Sequence, residues 1–468
     1  MKIDLFRKGK RIRYTDVQLR QRFFMIMAIP FVLAIACIGY FFIYPMPEYA
    51  VFSIWYVAIV GIVVLYGLLI FFFIHSKRTK TFMLSMKHRE RLAKFIVNNG
   101  YFDSEKTKDG QVRVTYFPKV YYKMDGILKN LIEIRFPIDM GKYQDRFSKL
   151  RETLETGLNA DLKDYYNEPN YFVYTLMLNP SRLRLNMMDM NIDGQQIEIM
   201  QGVYWNFNKI PHGLIVGGTG SGKTFLLESL MWTFAKLGAD ITVCDPKQTD
   251  LSYLARTEFF RGRVFSDLDK MVNVVDRFVR EMKERTVEFN KRADGRTGLN
   301  YFDVGLKPKI LFFDEYNNFM DELGSFGKQR SEVEKNISLL VKLGRQVGVF
   351  LIVGMQRPDM EYFKSGARDN FGLRITLRKM STQGYGMMFG DTQKSFKTYR
   401  EIGWGYAYLG SGEVFEFWSP LVPKGFNFVE EFDRAYKRVE PEKFKPLDEN
   451  NDVDDREEEQ YAIEPLEW

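Results

Sequence analysis

The sequence predicts an α/β protein in which a mainly parallel sheet is wrapped by helices. A small α+β domain and a pair of membrane helices precede it. Three observations support this prediction. Two long apolar runs without charge stand near the N-terminus, a glycine-rich loop lies between an apolar strand and a helix, and strands and helices alternate after that loop. Such alternation is typical of a parallel sheet with helices on both faces.

Composition limits the possible partners. The 468 residues are enough for two or three folded units. The formal net charge is +7, yet the segment from Asp448 to the end holds ten acidic residues and one basic residue, which leaves +16 on the remaining chain. A basic body favours a polyanionic partner, nucleic acid or anionic lipid, over a merely soluble basic surface. Cys37 and Cys244 form no disulfide framework, which fits a reducing compartment.

The two apolar runs predict membrane helices. Residues 23–44 and 51–74 contain no charge, and each run exceeds the roughly 20 residues that span a bilayer core. Both outer flanks are rich in lysine and arginine, whereas the turn between the runs carries only Glu48. Because basic flanks stay in the cytoplasm, we expect a two-pass cell-membrane protein. Residues 1–22 form its cytoplasmic N-terminus and 23–76 its membrane part, with both termini inside.

A predicted domain from 77 to 205 follows. It begins with a basic, weakly amphipathic helix at 77–96, which either lies along the inner leaflet or continues from the membrane as a solvated helix. Short strand-like segments and one helical stretch then indicate a small α+β unit. No catalytic arrangement of residues appears in it.

The glycine-rich loop has the pattern G-x-x-x-x-G-K-[ST] between a strand and a helix. Its glycines let backbone N–H groups converge on phosphates at the positive end of the helix. Lys223 is expected to reach the β- and γ-phosphates and Thr224 to hold Mg²⁺, so the sequence predicts ATP and Mg²⁺ as ligands. The predicted nucleotide-binding residues are Gly217, Gly218, Thr219, Gly220, Ser221, Gly222, Lys223, Thr224 and Phe225.

Two further strands end in polar residues. The apolar segment 310–313 is followed by Asp314, predicted to bind Mg²⁺, and by Glu315, predicted to polarise the water that attacks the γ-phosphate. The strand at 348–354 has Gln356 at its carboxyl end, where ligands of parallel sheets gather. Gln356 is therefore expected to contact the γ-phosphate. Lys223, Glu315 and Gln356 are the predicted catalytic residues.

The helix before that last strand has its own predicted start. Ser331 and Glu334 have the spacing of a capping box, which would begin the helix at this point.

These motifs together resemble those of FtsK/SpoIIIE-type DNA translocases. The segments GGTGSGKT, CDPKQTDL, REMKERTVEFN, ILFFDEYNNF, LGRQVGVFLIVGMQRPD and GLRITLR occur in the order and spacing of that family, over residues 205–425. The resemblance implies a RecA-like ATPase domain, here 206–430, that assembles as a hexameric ring and pumps DNA through its centre.

The layout around the motor departs from that of chromosome-segregating members, which have about four spans, a long linker and a winged-helix module. It looks like that of coupling proteins from Gram-positive integrative and conjugative elements and plasmids. Those proteins deliver relaxase-bound DNA to a conjugative type IV secretion channel, so relaxase and channel subunits are the expected partners. Chromosome translocation in division or sporulation and protein secretion remain alternatives.

Several finer assignments stay open at this stage. A ring ATPase needs an arginine that reaches the neighbour's γ-phosphate, and Arg345, Arg357 and Arg374 are candidates. The basic segment 394–400 is either a DNA-contacting loop or a solvated one. The acidic segment 431–468 is expected to be disordered, either as a docking site for a basic partner such as a relaxase or as a solubilising tail.

Overall fold

The computed structural model divides the chain into two compact units. One comprises 1–183 with 412–415, and the other 184–411 with 416–468. The structure describes residues 8–43, 61–68, 70–72, 75–107, 109, 111–124, 130–248, 251–324, 327–359, 362–363, 368–390 and 394–438. The second predicted membrane run lies mostly outside these residues, and so does the acidic segment from 439 onward. Residues 431–438, predicted to be disordered with that segment, instead belong to a helix whose Phe432 is buried. Within the described residues, no helix is both long and apolar enough to cross a membrane.

The first unit is an antiparallel α+β unit. Its helices are α1 (Leu19–Ile43), α2 (Lys77–Asn98), α3 (Gln144–Phe147) and α4 (Arg151–Leu158), with 3-10 turns at Tyr14–Gln18 and Pro180–Leu183. Its strands are β1 (Lys10–Arg11), β2 (Asp103–Lys106), β3 (Val112–Tyr116), β4 (Tyr121–Met124), β5 (Leu131–Pro137), β6 (Ala160–Glu168) and β7 (Tyr171–Leu178). Five strands form one sheet in the order β1-β4-β5-β7-β6, and β2 pairs with β3. The predicted small α+β domain is confirmed as a fold, but its bounds differ from the predicted 77–205, because β1 from the N-terminal segment pairs with β4 and the unit ends at Leu183.

Alternating side chains build the core of this unit. Along β5, Ile132, Ile134 and Phe136 are fully buried, because residues two apart face the same side of a strand. Tyr174 and Leu176 on the neighbouring β7 belong to the same buried cluster. The spacing of apolar residues in the sequence therefore sets which face of the sheet is covered.

The second unit carries the predicted α/β fold. Its strands are β8 (Ile192–Asp193), β9 (Gln196–Met200), β10 (Val203–Asn206), β11 (Gly213–Gly217), β12 (Asp240–Cys244), β13 (Val264–Phe265), β14 (Lys309–Phe313), β15 (Val349–Met355), β16 (Leu373–Leu377), β17 (Trp404–Leu409) and β18 (Phe415–Trp418). Its helices are α5 (Lys223–Lys236), α6 (Leu268–Ala293), α7 (Tyr316–Glu322), α8 (Lys328–Val347), α9 (Thr382–Phe389) and α10 (Phe428–Arg438), and 3-10 turns lie at Met187–Asp189, Ser252–Arg256 and Arg368–Asn370.

Eight strands form the central sheet, in the order β13-β12-β14-β15-β11-β16-β17-β18. The first six are parallel to their neighbours, and β17 runs antiparallel to β16. The predicted mainly parallel sheet is confirmed. Because parallel strands end at the same edge, the residues that follow β11, β12, β14, β15 and β16 come together there.

The unit that holds the sheet begins at Arg184, earlier than the predicted boundary at 205. The reason is packing of the small β8–β10 sheet on helix α5. The Trp205 ring contacts the Phe234 ring edge-to-face, with 5.8 Å between centroids. The Lys236 ammonium donates to the Met190 carbonyl over 3.0 Å.

The capping-box prediction at Ser331 is wrong. Helix α8 begins at Lys328, after an extended Gly327, so Ser331 lies inside the helix. Glu334 instead accepts a hydrogen bond from the Arg330 Nε at 2.9 Å. The helix begins before Ser331 because Lys328, Gln329 and Arg330 are good helix formers.

Candidate functional site

The glycine-rich loop joins the central strand β11 to helix α5. Its last glycine, Gly222, has a φ of +93° and precedes the first helical residue, Lys223. At Gly217, a Cβ would approach the Ser221 Oγ to 2.4 Å, so the loop closes this tightly only around glycine. The first turn of α5 lies at the carboxyl edge of the sheet, and the N–H groups at such a helix start favour anions.

A buried charge cluster lies beside this loop. The Lys223 ammonium forms an ion pair with Asp314 and lies 3.0 Å from the Glu315 Oε1. All three residues are buried. The structure thus brings the predicted phosphate-binding lysine and both predicted acidic residues into direct contact.

Two more residues hold the Glu315 carboxylate. The Gln356 Nε2 donates to the Glu315 Oε1 at 3.3 Å, and the Lys247 ammonium lies 3.1 Å from the Glu315 Oε2. Gln356 was predicted to belong to the site, but Lys247 was not. Lys247 follows the strand that ends at Cys244, and only the order of the strands shows that this strand neighbours β14.

The backbone at the acidic pair is unusual. Glu315 has a φ of +48°, in the left-handed region that non-glycine residues rarely adopt. The Asp314 Oδ1 accepts a hydrogen bond from the Glu315 N–H at 2.9 Å. This local bond holds the turn, because it ties the Glu315 backbone to the buried carboxylate before helix α7 begins.

Burial and charge act in opposite directions on these groups. Burial raises the pKa of Asp314, and the Lys223 charge opposes that rise without cancelling it. Burial also favours the neutral form of Glu315, but the Lys223 charge outweighs it, so the pKa of Glu315 is lowered. For Lys223, burial lowers the pKa, yet the two carboxylates raise it above its usual value. Lys223 and Glu315 are therefore charged at neutral pH.

The cluster opens into a cleft of about 1560 Å³. The glycine-rich loop with Thr224 and Phe225 forms part of its lining, and the segment 419–428 forms another wall. Phe225 is exposed. The cleft is therefore large enough for a nucleotide, with charged groups at one end and a largely apolar wall along its length.

Two main-chain hydrogen bonds join the loop to that wall. The Gly403 N–H donates to the Ser221 carbonyl at 2.9 Å, and the Ser419 N–H donates to the Gly403 carbonyl at 2.7 Å. We call this connection the main-chain bridge. A Cβ at Gly403 would come within 2.2 Å of the Ser419 Oγ, so only glycine allows it.

A second unpredicted residue lies over the loop. The Arg378 Nη1 is 3.5 Å from the Thr219 carbonyl. Arg378 follows β16, the other neighbour of β11, so it reaches the same edge of the sheet. In the sequence, Arg378 is an arginine directly after a predicted strand, and this pattern is too common to identify it as a site residue.

The three candidate arginines lie in different surroundings. Arg345 is exposed in the last turn of α8. The Arg357 side chain is 82% exposed, with Asp359 as a distant ion-pair partner at 3.9 Å. Arg374 is buried, and its guanidinium donates to the carbonyls of Phe371 and Met388 at 2.8 and 3.1 Å. Arg374 is thus held by its own chain, whereas the side chains of Arg345 and Arg357 are exposed.

The residues present suit a magnesium nucleotide. Mg²⁺ in such sites is held by one or two protein ligands together with substrate phosphates. Asp314 supplies a buried carboxylate that is paired with Lys223, and Thr224 lines the cleft beside Lys223. No group of three or more His, Cys, Asp or Glu side chains that would hold a metal on its own is found in the described part of the chain. The Ser221 Oγ is buried without a hydrogen-bond partner among the described residues, which fits an oxygen ligand in the loop.

Comparisons with known proteins indicate the family of this chain. The family model described as FtsK/SpoIIIE family matches residues 179–319. The chain is 39% identical over 362 residues to the FtsK domain-containing protein YdcQ of Bacillus subtilis (strain 168), which covers 75% of this chain and 74% of that relative. It is 28% identical over 190 residues to the DNA translocase FtsK of Chlorobaculum tepidum, which covers 37% of this chain and 23% of that protein.

Solved structures are similar as well. One of them is the pCW3 conjugation coupling protein TcpA in its monomer form with ATPγS, with a TM-score of 0.47 and 19% sequence identity. The similarity covers 76% of this chain and 99% of that chain.

Proposed function

Because the chain belongs to the FtsK/SpoIIIE family, we propose that it is an ATP hydrolase that moves DNA from a membrane-anchored position. In this proposal it acts as a coupling protein that delivers relaxase-bound DNA to a conjugative type IV secretion channel. The proposed motor activity is supported by the buried cluster of Lys223, Asp314, Glu315 and Gln356 beside the glycine-rich loop.

Each residue of the cluster has a role in ATP hydrolysis. The loop N–H groups and Lys223 bind the β- and γ-phosphates and stabilise the charge that develops on them. Glu315 is charged at neutral pH, so it orients the attacking water and takes up its proton. Gln356 contacts both Glu315 and the γ-phosphate, and so links the presence of that phosphate to its strand. Thr224 and Asp314 hold Mg²⁺, which neutralises phosphate charge when bound.

DNA is the proposed substrate because relatives across this region are named DNA translocases. The basic body of the chain, +16 without its acidic end, suits a polyanion that passes along the protein. A hexameric ring would place an arginine of one subunit at the γ-phosphate of the next. We propose Arg345 or Arg357 for this arginine, because Arg374 is already bonded within its own chain.

The distribution of the similarity supports the choice against a chromosome-segregating translocase. The chain spans only 19–24% of the DNA translocases named FtsK that it matches, and those matches cover 36–38% of this chain. The similarity to YdcQ covers 75% of this chain. Shared sequence outside the motor is therefore found with YdcQ rather than with those translocases.

Membrane attachment belongs to the same proposal. The apolar runs 23–44 and 51–74 would cross the membrane, with both termini and the ATPase unit in the cytoplasm. Large apolar side chains along α1 are exposed, among them Ile26, Val32 and Ile35. An exposed surface of this kind marks a membrane or protein contact.

A deletion tests the role. Loss of this protein should abolish conjugative transfer of the element that encodes it and leave growth and division unchanged. Mating frequency is measured beside microscopy of septa, and plasmid-borne wild type restores transfer as the control. Chromosomes trapped at septa together with a normal transfer frequency would support chromosome segregation instead.

A further inference from the structure

A second cavity, of about 690 Å³, lies in the first unit between α1 and α2. The two helices are antiparallel here, since the Arg20 Nε lies 2.7 Å from Glu90 and the Phe23 ring lies 5.6 Å from the Phe82 ring. Phe24, Met27 and Phe31 of α1 and Met83 and Leu84 of α2 line its walls. The three α1 residues recur every three or four positions, so α1 presents one apolar face to the groove, and α2 contributes the adjacent Met83 and Leu84.

Basic side chains stand along this groove. Lys80 and Lys87 both line it, and they lie seven residues apart, two helical turns along the same side of α2. Neither lysine has an ion-pair partner among the residues that the structure describes. Arg20 also lines the groove, but Glu90 partly neutralises its charge. Two unpaired positive charges thus border an apolar cavity.

We propose that this groove binds a single anionic phospholipid. The lipid phosphate lies between Lys80 and Lys87, and an acyl chain lies along Met27, Phe31 and Met83. An apolar groove beside unpaired ammonium groups matches a molecule that joins a negative head to a hydrocarbon chain. A nucleic-acid backbone would match the lysines but leave the apolar walls uncovered.

This inference rests on the proposed membrane attachment and goes further, because it assigns a defined site and a lipid class. The exposed apolar side chains of α1 continue beyond the groove at Ile29, Val32 and Leu33. An acyl chain in the groove would therefore be continuous with the hydrocarbon around α1. The basic α2 helix contacts the headgroup region in this arrangement, rather than remaining a solvated extension.

The experiment titrates the full-length protein in detergent with phosphatidylglycerol or with phosphatidylcholine of the same acyl chains. Bound lipid is counted by native mass spectrometry. We expect wild type to bind one phosphatidylglycerol molecule on the order of tenfold more tightly than phosphatidylcholine. Lys80→Gln combined with Lys87→Gln should remove that preference. Equal affinity of wild type for the two lipids would overturn the proposal.

Matched variants separate the site from general charge. Arg22→Gln combined with Lys119→Gln removes two exposed positive charges outside the groove, and it should keep the preference. Ala28→Phe adds a ring at an exposed position that lines the groove, so it should weaken binding of both lipids. Glycerol 3-phosphate at millimolar concentration should not displace the lipid. Displacement would mean a free-phosphate site and would also refute the proposal.

A flotation assay keeps this inference distinct from the membrane anchor. With neutral phosphatidylcholine vesicles, wild type and the Lys80/Lys87 double variant should float equally, because the apolar runs alone attach the chain. Loss of flotation by wild type would refute the anchor itself. Flotation without selective phosphatidylglycerol binding would refute only the groove site.

Discussion

Gly354 lies directly behind Asp314: a Cβ at position 354 would stand 2.3 Å from the Asp314 Oδ1 and 3.1 Å from the Leu227 Cδ1. The buried carboxylate therefore occupies the space that a side chain at position 354 would fill. The position of the proposed magnesium ligand depends on the absence of a side chain on the neighbouring strand.

Gly354→Ala should displace Asp314 and reduce ATP turnover at least about tenfold, since small shifts at a reacting site have large effects on rate. Overpacking should also destabilise the unit by roughly 1–3 kcal/mol. Gly386→Ala is the control, because a Cβ there meets no atom within 4 Å. DNA-stimulated ATPase assays and thermal unfolding measure the two effects. Normal turnover in Gly354→Ala would show that Asp314 needs no such space.

Lys223→Ala and Glu315→Gln should fail differently. The first removes a positive charge from the phosphates, so ATP binding and hydrolysis should fall together. The second keeps the shape of the side chain but removes its charge, so ATP should still bind while turnover falls by two orders of magnitude or more, as for lost acid–base groups. Nucleotide binding and ATPase activity of the full-length protein are measured in parallel.

Mixing tests whether subunits act together. Glu315→Gln protein titrated into wild type should inhibit more than in proportion to its fraction, because hydrolysis in a ring is coupled between neighbours. A strictly linear loss of activity would argue against a coupled ring. Near-normal turnover by the pure variant would instead remove Glu315 from the catalytic role.

Lys247→Ala should reduce kcat on the order of tenfold and leave the KM for ATP nearly unchanged. The Lys247 ammonium holds the Glu315 Oε2 at 3.1 Å, so its loss frees the carboxylate to rotate without altering the phosphate-binding loop. Lys247→Arg keeps the charge and should recover part of the rate. A rise in KM with unchanged kcat would mean that Lys247 binds nucleotide and does not position Glu315.

Acid should destabilise the second unit through His212. Burial lowers the pKa of His212 to about 3, and its Nδ1 accepts the Leu351 N–H at 3.1 Å. The unfolded chain takes up a proton below about pH 6.5 and the folded chain does not, so stability is present above that pH and falls below it. Between pH 6.5 and 5 the loss should reach about 2 kcal/mol.

Hydrogen exchange of the β15 amides, corrected for intrinsic rates at each pH, reports this change locally. His212→Gln can still accept the Leu351 N–H but does not titrate, so its stability should depend less on pH over the same range. An equal slope in the variant and in wild type would assign the acid sensitivity to other groups. His88, whose pKa burial lowers to about 4, lies in the first unit. Its contribution to acid sensitivity is the same in wild type and in His212→Gln, so it serves as an internal reference for the comparison.

The sequence predicted the central residues of the site better than it predicted the residues that contact them. Lys223, Asp314 and Gln356 follow recognisable motifs, and the shared edge of parallel strands explains why they meet. Strand order cannot be read from the motifs, so the approach of Lys247 to Glu315 and of Arg378 to Thr219 was not predicted. The wall at 419–428 comes from a distant part of the chain and carries no local signal. At Ser331 a local cap pattern was overridden by helix-forming residues before it.

The main-chain bridge from Ser221 through Gly403 to Ser419 has a consequence for how this protein can diverge. Its hydrogen bonds use only backbone groups, so replacing the side chains at 221 or 419 does not cut it. The side chain at 419 can therefore change without loss of these bonds, whereas Ser221 is also constrained by its place in the glycine-rich loop. A glycine retained at position 403 would be the mark of this connection in related sequences.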